Sequence, residues 1–364
     1  MKLRLGIQQR VMPSYRVPFM DALAHACESG LGVFAGQPRP VEMIETGAAL
    51  QVAQRFEAAN RHWLGGPFYL CSQGGFIPFL ESFQPEALVV EANPRYLSTP
   101  AAVNWMHKRQ RPVIAWGLGA PPGGLSLRRL RRWMRYEFLS QFDALIAYSH
   151  QGAAEYAALG FAKERVFVAP NAAVPRPTAP PPVRPNLKEG DQVSLLFVGR
   201  LQPRKRLDLL LRACAALPAG QQPGLVIAGD GSARPALETL AQQVYPSTRF
   251  VGALYNTDLE PFFRQADLFV LPGTGGLAVQ QAMSFGLPVI VADGDGTQSE
   301  LVSPKNGWLV KPGNLDDLLA ALQAALSDPE HLRPMGAESY RLVSEEINLD
   351  KMVAGFLRAI ESVI

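Results

Sequence analysis

Short apolar runs rich in β-branched residues alternate with longer segments of helical period along nearly all of the chain, and no other feature constrains the fold as strongly. The pattern is that of βαβ units, in which parallel strands are joined by crossover helices. In the first half it predicts strands at Lys2–Ile7, Gly32–Ala35, Ala87–Glu91, Val113–Trp116, Ala144–Tyr148 and Val166–Ala169, with helices at Pro18–Glu28 and Thr99–Arg109. The series stops at residues 170–186, where seven prolines remove amide donors and restrict the residues before them. It restarts with strands at Ser194–Val198, Gly224–Ala228, Thr248–Val251, Ala266–Leu271 and Pro288–Ala292, separated by helices at Leu207–Ala216, Ala233–Gln243 and from Leu277. Amphipathic helices follow at Leu315–Ser327 and Met352–Ile364.

The expected architecture is α/β with two Rossmann-like domains. They occupy residues 1–169 and 188–345, joined by a proline-rich linker at 170–187, and a terminal helix at 346–364 is expected to pack back on the first domain. A length of 364 residues, 48% of them hydrophobic, suits two domains of ordinary size. No repeat with a period of roughly 20–50 residues is present, which excludes solenoids and propellers.

Charge divides unevenly. Lys and Arg outnumber Asp and Glu 20 to 12 over residues 1–187 and are outnumbered 15 to 20 over residues 188–364. Unless the asymmetry is chance, the first half suits an anionic partner, either a phosphate-bearing acceptor or an anionic membrane surface. Cys27, Cys71 and Cys214 have neither disulfide-framework nor zinc-ligand spacing, so a reducing, cytoplasmic compartment is expected. The N-terminal segment reads as a strand and a loop and not as a signal peptide, and no apolar run reaches the roughly 18 residues of a membrane span.

Two segments carry candidate chemistry. Val198-Gly199-Arg200-Leu201 follows a predicted strand directly, and Lys205 comes soon after, so both cations are expected above the carboxyl edge of the sheet. Arginine offers phosphate oxygens a planar fork and lysine a compact charge, and together they suit a departing diphosphate. Arg204 and Arg206 share the loop, so a solvated basic loop fits the same spacing. Pro272-Gly273-Thr274-Gly275-Gly276-Leu277 runs straight into a helix, which exposes backbone amides and the positive end of the helix dipole to an anion. Tight turns also use glycine for purely conformational reasons. Gly229-Asp230-Gly231 lacks the third glycine of a dinucleotide fingerprint and reads as a turn near the nucleotide.

It is the order of the segments that is specific. FVGRLQPRKRLDLLLRA, VIAGDGSARPAL, RFVGALYNTDLEPFFRQADLFVLPG, GLAVQQAMSFGLPVIVAD and NGWLVKPGNLDDLLAAL closely resemble the C-terminal domain of family 4 glycosyltransferases, which have the GT-B fold, over residues 194–330. RVMPSYRVPFMDALA, EANPRYLST, VIAWGLGAP, DALIAYSHQGAAEYAALGF and VFVAPN resemble the first domain of that family more loosely. The resemblance implies two parallel-sheet domains facing a central cleft and a nucleotide-sugar donor held mainly by the second domain. It also implies a glycan or lipid-linked acceptor approaching from the first, retention of anomeric configuration, no metal, and no cofactor besides the nucleotide-sugar co-substrate. Residue by residue, it makes Arg200 and Lys205 the catalytic phosphate-binding pair. Gly276 and Leu277 become the turn whose backbone faces the phosphates and sugar, and Leu254 and Tyr255 begin the base pocket; Gly199, Gly273, Thr274 and Gly275 are donor-binding candidates from the glycine turns themselves.

The sequence departs from the family pattern at two places. Where that family commonly has a Glu, seven residues and a second Glu, this chain has Gly273 and Gln281; the Pro-Gly-x-x-Gly-Leu form is a variant within the family. Gln281 keeps one carbonyl acceptor for a donor ribose and gains two donors. Leu118, in Ala115-Trp116-Gly117-Leu118-Gly119, stands where relatives often place a histidine, and it can neither donate a proton nor form a hydrogen bond. These departures motivate a rival reading, a nucleotide-sugar-binding pseudoenzyme or partner subunit. A sugar-nucleotide epimerase would need acidic or histidine groups for proton work, and no such set is visible.

On the acceptor side the candidates are Tyr15 and Arg16 after the first strand, Leu118, and His150 at a carboxyl strand end; packing against Pro18-Phe19 explains Tyr15 equally well. The other histidines form no metal pair or catalytic dyad. Arg128, Arg129, Arg131, Arg132 and Arg135, beside Leu130, Trp133 and Met134, read as a basic amphipathic helix suited to the anionic inner membrane face or a lipid-linked phosphate. A solvated helix face fits that pattern too, and nucleic acid is not expected.

Overall fold

A computed structural model describes residues 1–42, 44–120, 128–254, 256–294 and 297–364. The chain forms two compact units, Met1–Pro175 with Leu349–Ile364, and Arg176–Asn348. In the first, the strands are β1 (Leu5–Val11), β2 (Leu31–Gly36), β3 (Gln54–Trp63), β4 (Leu70–Gly74), β5 (Ala87–Glu91), β6 (Val113–Gly117), β7 (Ala144–Ala147) and β8 (Val166–Val168). The helices between them are α1 (Val17–Ala26), α2 (Phe76–Phe83), α3 (Thr99–His107), α4 (Arg128–Ser140) and α5 (His150–Leu159). The strand order is β4-β3-β2-β1-β5-β6-β7-β8, with every pair parallel except β3 and β4. Strands β2 and β7 are buried along their whole length, as expected of parallel strands covered on both faces.

The antiparallel β3–β4 hairpin is absent from the sequence expectation. QRFEAANRHW holds no β-branched residue and is mostly exposed or partly buried, so its strand character comes from its pairing partners and not from its own propensity.

The second unit contains β9 (Ser194–Val198), α6 (Leu207–Ala216), β10 (Gly224–Ala228), α7 (Arg234–Val244), β11 (Arg249–Gly252), α8 (Glu260–Gln265), β12 (Leu268–Leu271), α9 (Leu277–Ser284), β13 (Val289–Ala292), α10 (Gln298–Leu301), β14 (Gly307–Val310), α11 (Leu315–Ser327) and α12 (Leu332–Glu345). Its order, β11-β10-β9-β12-β13-β14, is parallel throughout and is the strand order of a doubly wound nucleotide-binding sheet. Helix α12 was not predicted, because Pro334 and Gly336 interrupt its pattern. Pro334 falls in the first turn, where its missing amide costs nothing, and a side chain on Gly336 would meet the Gly286 carbonyl oxygen at 2.1 Å. The linker lies down on this unit: Arg184 donates to the carbonyls of Phe263, Phe285 and Ala266 at 2.6, 2.8 and 2.9 Å.

The last helix, α13 (Leu349–Glu361), belongs to the first unit and packs against α1, β7 and β8. Phe356 sits 4.9 Å from Phe19 and 5.0 Å from Trp116, ring centroid to centroid. Gly355 admits the approach, since a Cβ there would lie 2.6 Å from the Val168 carbonyl oxygen. Arg16, expected on the acceptor side, is only 5% exposed and is consumed by this packing. Its guanidinium donates to the Ala172 carbonyl at 3.3 Å and to Asn171 Oδ1, and lies 5.1 Å from the Trp116 ring centre. A cation so placed ties the start of α1 to the segment that follows β8. Phe356→Ala is expected to remove about 3–5 kcal/mol of the first unit's stability, read as a lowered urea midpoint. A loss below about 1 kcal/mol would show that α13 is not part of that core.

Candidate functional site

In the second unit the strand order reverses between β9 and β12, and the crevice outside their carboxyl ends is where doubly wound sheets bind ligands. The chain leaves β9 through Gly199 and Arg200 and leaves β12 through Pro272 to Gly276, so the fold brings the two sequence-predicted segments to one place. Gly199 takes φ +153, and its carbonyl lies so close to Gly229 that a Cβ on Gly229 would sit 1.9 Å away. The Leu201 amide donates to the Asp230 carbonyl at 2.8 Å, and the Ala233 amide to the Leu201 carbonyl at 2.9 Å. Gly229-Asp230-Gly231 thus supports the turn that carries Arg200, which is half-buried.

Lys205 closes a 3-10 turn, Pro203–Lys205, and its Nζ donates to the Thr274 carbonyl at 2.5 Å. The Thr274 amide returns a bond to the Arg204 carbonyl at 3.1 Å, and Arg204 reaches the Thr274 hydroxyl at 3.4 Å. The glycines are what allow this stitching. A Cβ on Gly273 would lie 2.3 Å from the Arg204 carbonyl oxygen and 2.6 Å from Lys205 Cα, and one on Gly275 would lie 2.3 Å from Lys205 Nζ. Gly275 also takes φ +129, which favours glycine on conformational grounds.

Gly276 caps α9, its carbonyl accepting from Val279, and Leu277 and Gln281 follow, both half-buried, one helical turn apart. Sequence reasoning missed Gln298. It is fully buried, donates to the Gly275 carbonyl at 3.2 Å and accepts from the Gly294 amide at 3.3 Å, pinning the glycine turn from below. A lone glutamine in a four-residue helix carries no sequence signal. Leu254 is half-buried beyond β11, the edge strand, two strands from β9, and Tyr255 lies outside the described residues.

In the first unit Leu118 follows β6 and His150 opens α5 after β7, so adjacent strands place both at one carboxyl edge. A Cβ on Gly152 would lie 2.2 Å from the Leu118 carbonyl oxygen, so the first turn of α5 rests on the Leu118 backbone. Tyr15 is exposed in the turn after β1. The reversal between β1 and β5 holds a polar cluster that the sequence did not reveal. Gln8 bridges the Glu91 amide and the Gln73 side chain, Gln73 bonds Asn60, and the Arg10 amide donates to the Glu91 carboxylate at 2.7 Å. Burial pushes the Glu91 carboxyl above the usual carboxylate range, against the hydrogen bond and charge of Arg10. On α4, which Arg128 opens, Arg129, Arg131 and Arg132 are exposed and Arg135 is half-buried, with Leu130, Trp133 and Met134 exposed beside them. Among the described residues no three of His, Cys, Asp and Glu are grouped to hold a metal, and no helix is long and apolar enough to cross a membrane.

Comparison with known proteins assigns both units. Residues 20–172 match the "Glycosyl transferase 4-like domain" family and residues 183–342 the "Glycosyl transferases group 1" family. An uncharacterised glycosyltransferase of Methanocaldococcus jannaschii is 32% identical over 145 residues, 38% of this chain and 37% of that one. A D-inositol 3-phosphate glycosyltransferase of Rhodococcus opacus is 36% identical over 158 residues, 40% of this chain and 35% of that one. The chain thus spans under two fifths of the length of these relatives. The fold of HepE of Anabaena, solved with UDP, superposes with a TM-score of 0.71 over 100% of both chains at 15% identity. The lipopolysaccharide outer core galactosyltransferase WaaB gives 0.70 over 100% of both chains at 16% identity. The chain is a family-4-like glycosyltransferase-type protein of the GT-B fold, a glycosyl transferase 4-like domain followed by a glycosyl transferases group 1 domain.

Proposed function

We propose that this protein moves a glycosyl group from a nucleoside diphosphate sugar to a glycan or lipid-linked acceptor, with retention of configuration and without a metal. The observation that carries the reading is the convergence, at the switch point of the second unit, of Arg200, Lys205 and the amide-bearing start of α9. As the bond from sugar to phosphate breaks, negative charge grows on the diphosphate, and fixed cations with a helix N-terminus stabilise that charge with little reorganisation. The solved structures of HepE with UDP and with UDP-glucose support a nucleotide sugar as the donor class. Leu254 and Tyr255 begin the base pocket and Gln281 contacts the ribose in this reading. Tyr15, Leu118 and His150 border the acceptor in the first unit, and the arginines of α4 hold the protein, in the cytoplasm, against a phosphate-bearing acceptor or the anionic inner membrane face.

The test is a thermal-shift and calorimetric screen against UDP, GDP, dTDP and ADP with their common sugars, followed by measurement of nucleotide release. At a ligand concentration about one hundred times Kd, binding to the folded state alone adds about 2.7 kcal/mol, a rise of a few degrees in Tm. One base series is expected to bind and its sugar to be turned over, slowly by water and faster with acceptor. Tight binding with no release in the presence of lipid and glycan extracts would favour the pseudoenzyme or partner-subunit reading. No binding in any series would remove the donor-site assignment.

A further inference from the structure

Five of the chain's exposed large hydrophobic residues belong to three neighbouring segments of the first unit, where the β3–β4 hairpin turns. Trp63, Leu64 and Phe68 at the tip are 43%, 71% and 73% exposed, Val41 is 76% exposed and Leu97 50%. The segments are joined around Tyr69. Its hydroxyl pairs with His62 Nδ1 at 2.9 Å, and the Arg39 guanidinium, from the segment carrying Val41, lies 4.7 Å from its ring centre. The segment carrying Leu97 runs beside β4, with Cys71 donating to the Arg95 carbonyl at 3.0 Å and Leu97 to the Cys71 carbonyl at 2.8 Å.

The base of the hairpin is anchored by the Gln8, Gln73 and Asn60 bonds. The tip itself turns through Leu64 at φ +57, a left-handed conformation that favours glycine and is occupied here by a large apolar residue. Arg39, Arg61 and Arg95 lie in these segments, and Glu42 is already bridged to Arg10 at 2.9 Å and Arg39 at 3.1 Å, with Glu45 further along the same loop and Glu57 lower on β3, paired with Arg55 at 3.0 Å.

We propose that the hairpin tip is a docking surface for an anionic phospholipid bilayer, with Trp63, Leu64 and Phe68 entering the headgroup boundary while Arg39, Arg61 and Arg95 meet lipid phosphates. An apolar projection rimmed by arginines complements such an interface in both polarity and charge, and tryptophan suits its amphipathic environment. A two-stranded tip is also too narrow to bury the roughly 800 Å² per partner of a standard protein interface. The site is separate from the arginine helix α4 and does not depend on any reading of the donor site, since binding is measured with neither donor nor turnover.

The experiment is cosedimentation of the full chain with vesicles of phosphatidylcholine alone and of phosphatidylcholine with phosphatidylglycerol, together with tryptophan quenching by bromolipid. Wild type is expected on the phosphatidylglycerol vesicles, and Leu64→Ser with Phe68→Ser is expected to weaken partitioning about tenfold or more, with an unchanged melting curve. Quenching should fall in Trp63→Phe and persist in Trp133→Phe, which reports α4. The proposal is overturned if wild type stays in the supernatant, if the double serine variant sediments like wild type, or if quenching follows Trp133 and ignores Trp63.

Discussion

Gly273→Glu is expected to lower turnover by about 100-fold or more, although it would restore the residue that the family pattern places there. The reason lies in what occupies the space. The Arg204 carbonyl oxygen would stand 2.3 Å from the new Cβ, and Lys205 Cα 2.6 Å from it. Both are backbone atoms, so no rotamer change relieves the clash. The 203–205 turn must move outward, which breaks the bond from Thr274 to Arg204 and draws the Lys205 amine off the Thr274 carbonyl. Forcing a side chain into so closed a site costs about 1–3 kcal/mol in stability. The decisive readout is therefore calorimetric affinity for the nucleoside diphosphate and kcat/KM, each compared with the shift in Tm. Gly273→Ala should move all three the same way by less. Turnover in Gly273→Glu equal to or above that of wild type would show that the turn yields freely and that Lys205 is not positioned by it.

Much of the fold was legible from pattern alone, and the misses have physical causes. Strand β9 and helices α6 and α11 fall at the predicted residues because long apolar periodicities are bounded by turns. Strand β1 starts three residues later than Lys2–Ile7 and continues to Val11, since polar Gln8, Gln9 and Arg10 extend it. Those side chains build the cluster at the strand reversal, where local hydrophobicity fails as a guide because function or a buried hydrogen-bond network sets the residue type. Helix α12 and the β3–β4 hairpin were illegible because close backbone approach and strand pairing, both tertiary, decide them.

The candidate site was half legible. Gly199, Arg200, Lys205 and the Gly273 to Leu277 turn could be named because short spacing after a strand fixes where they stand. What the sequence could not give was their coupling. The glycines that read as anion-binding amides also make room for Lys205, so the absence of a side chain at 273 is a packing requirement as well as a departure from the family. The burial of Arg16 was illegible for the complementary reason. Position just after a strand suggested ligand contact, and residues remote in sequence, Asn171, Ala172 and Met352 of α13, surround it.

Removing both cations, Arg200→Ala with Lys205→Ala, is expected to reduce kcat by about 1,000-fold or more, since each fixed group aimed at developing charge is worth roughly 2.7–4 kcal/mol. On the proposed reading the two act on one diphosphate, so the singles should not add: each alone should cost a large part of the double effect. Lys205→Arg should not rescue. A Cβ on Gly275 would already lie 2.3 Å from Lys205 Nζ, so the pocket fits a compact ammonium and not a broad planar fork. A structural role predicts something different, namely a fall in Tm with proportionate losses for every ligand. The charge role predicts that affinity for the free nucleoside is retained while affinity for its diphosphate drops by about tenfold or more, with a weaker salt dependence than wild type. Calorimetry with that ligand pair separates the two, and near-wild-type turnover in the double variant would falsify the assignment of Arg200 and Lys205 to the leaving group.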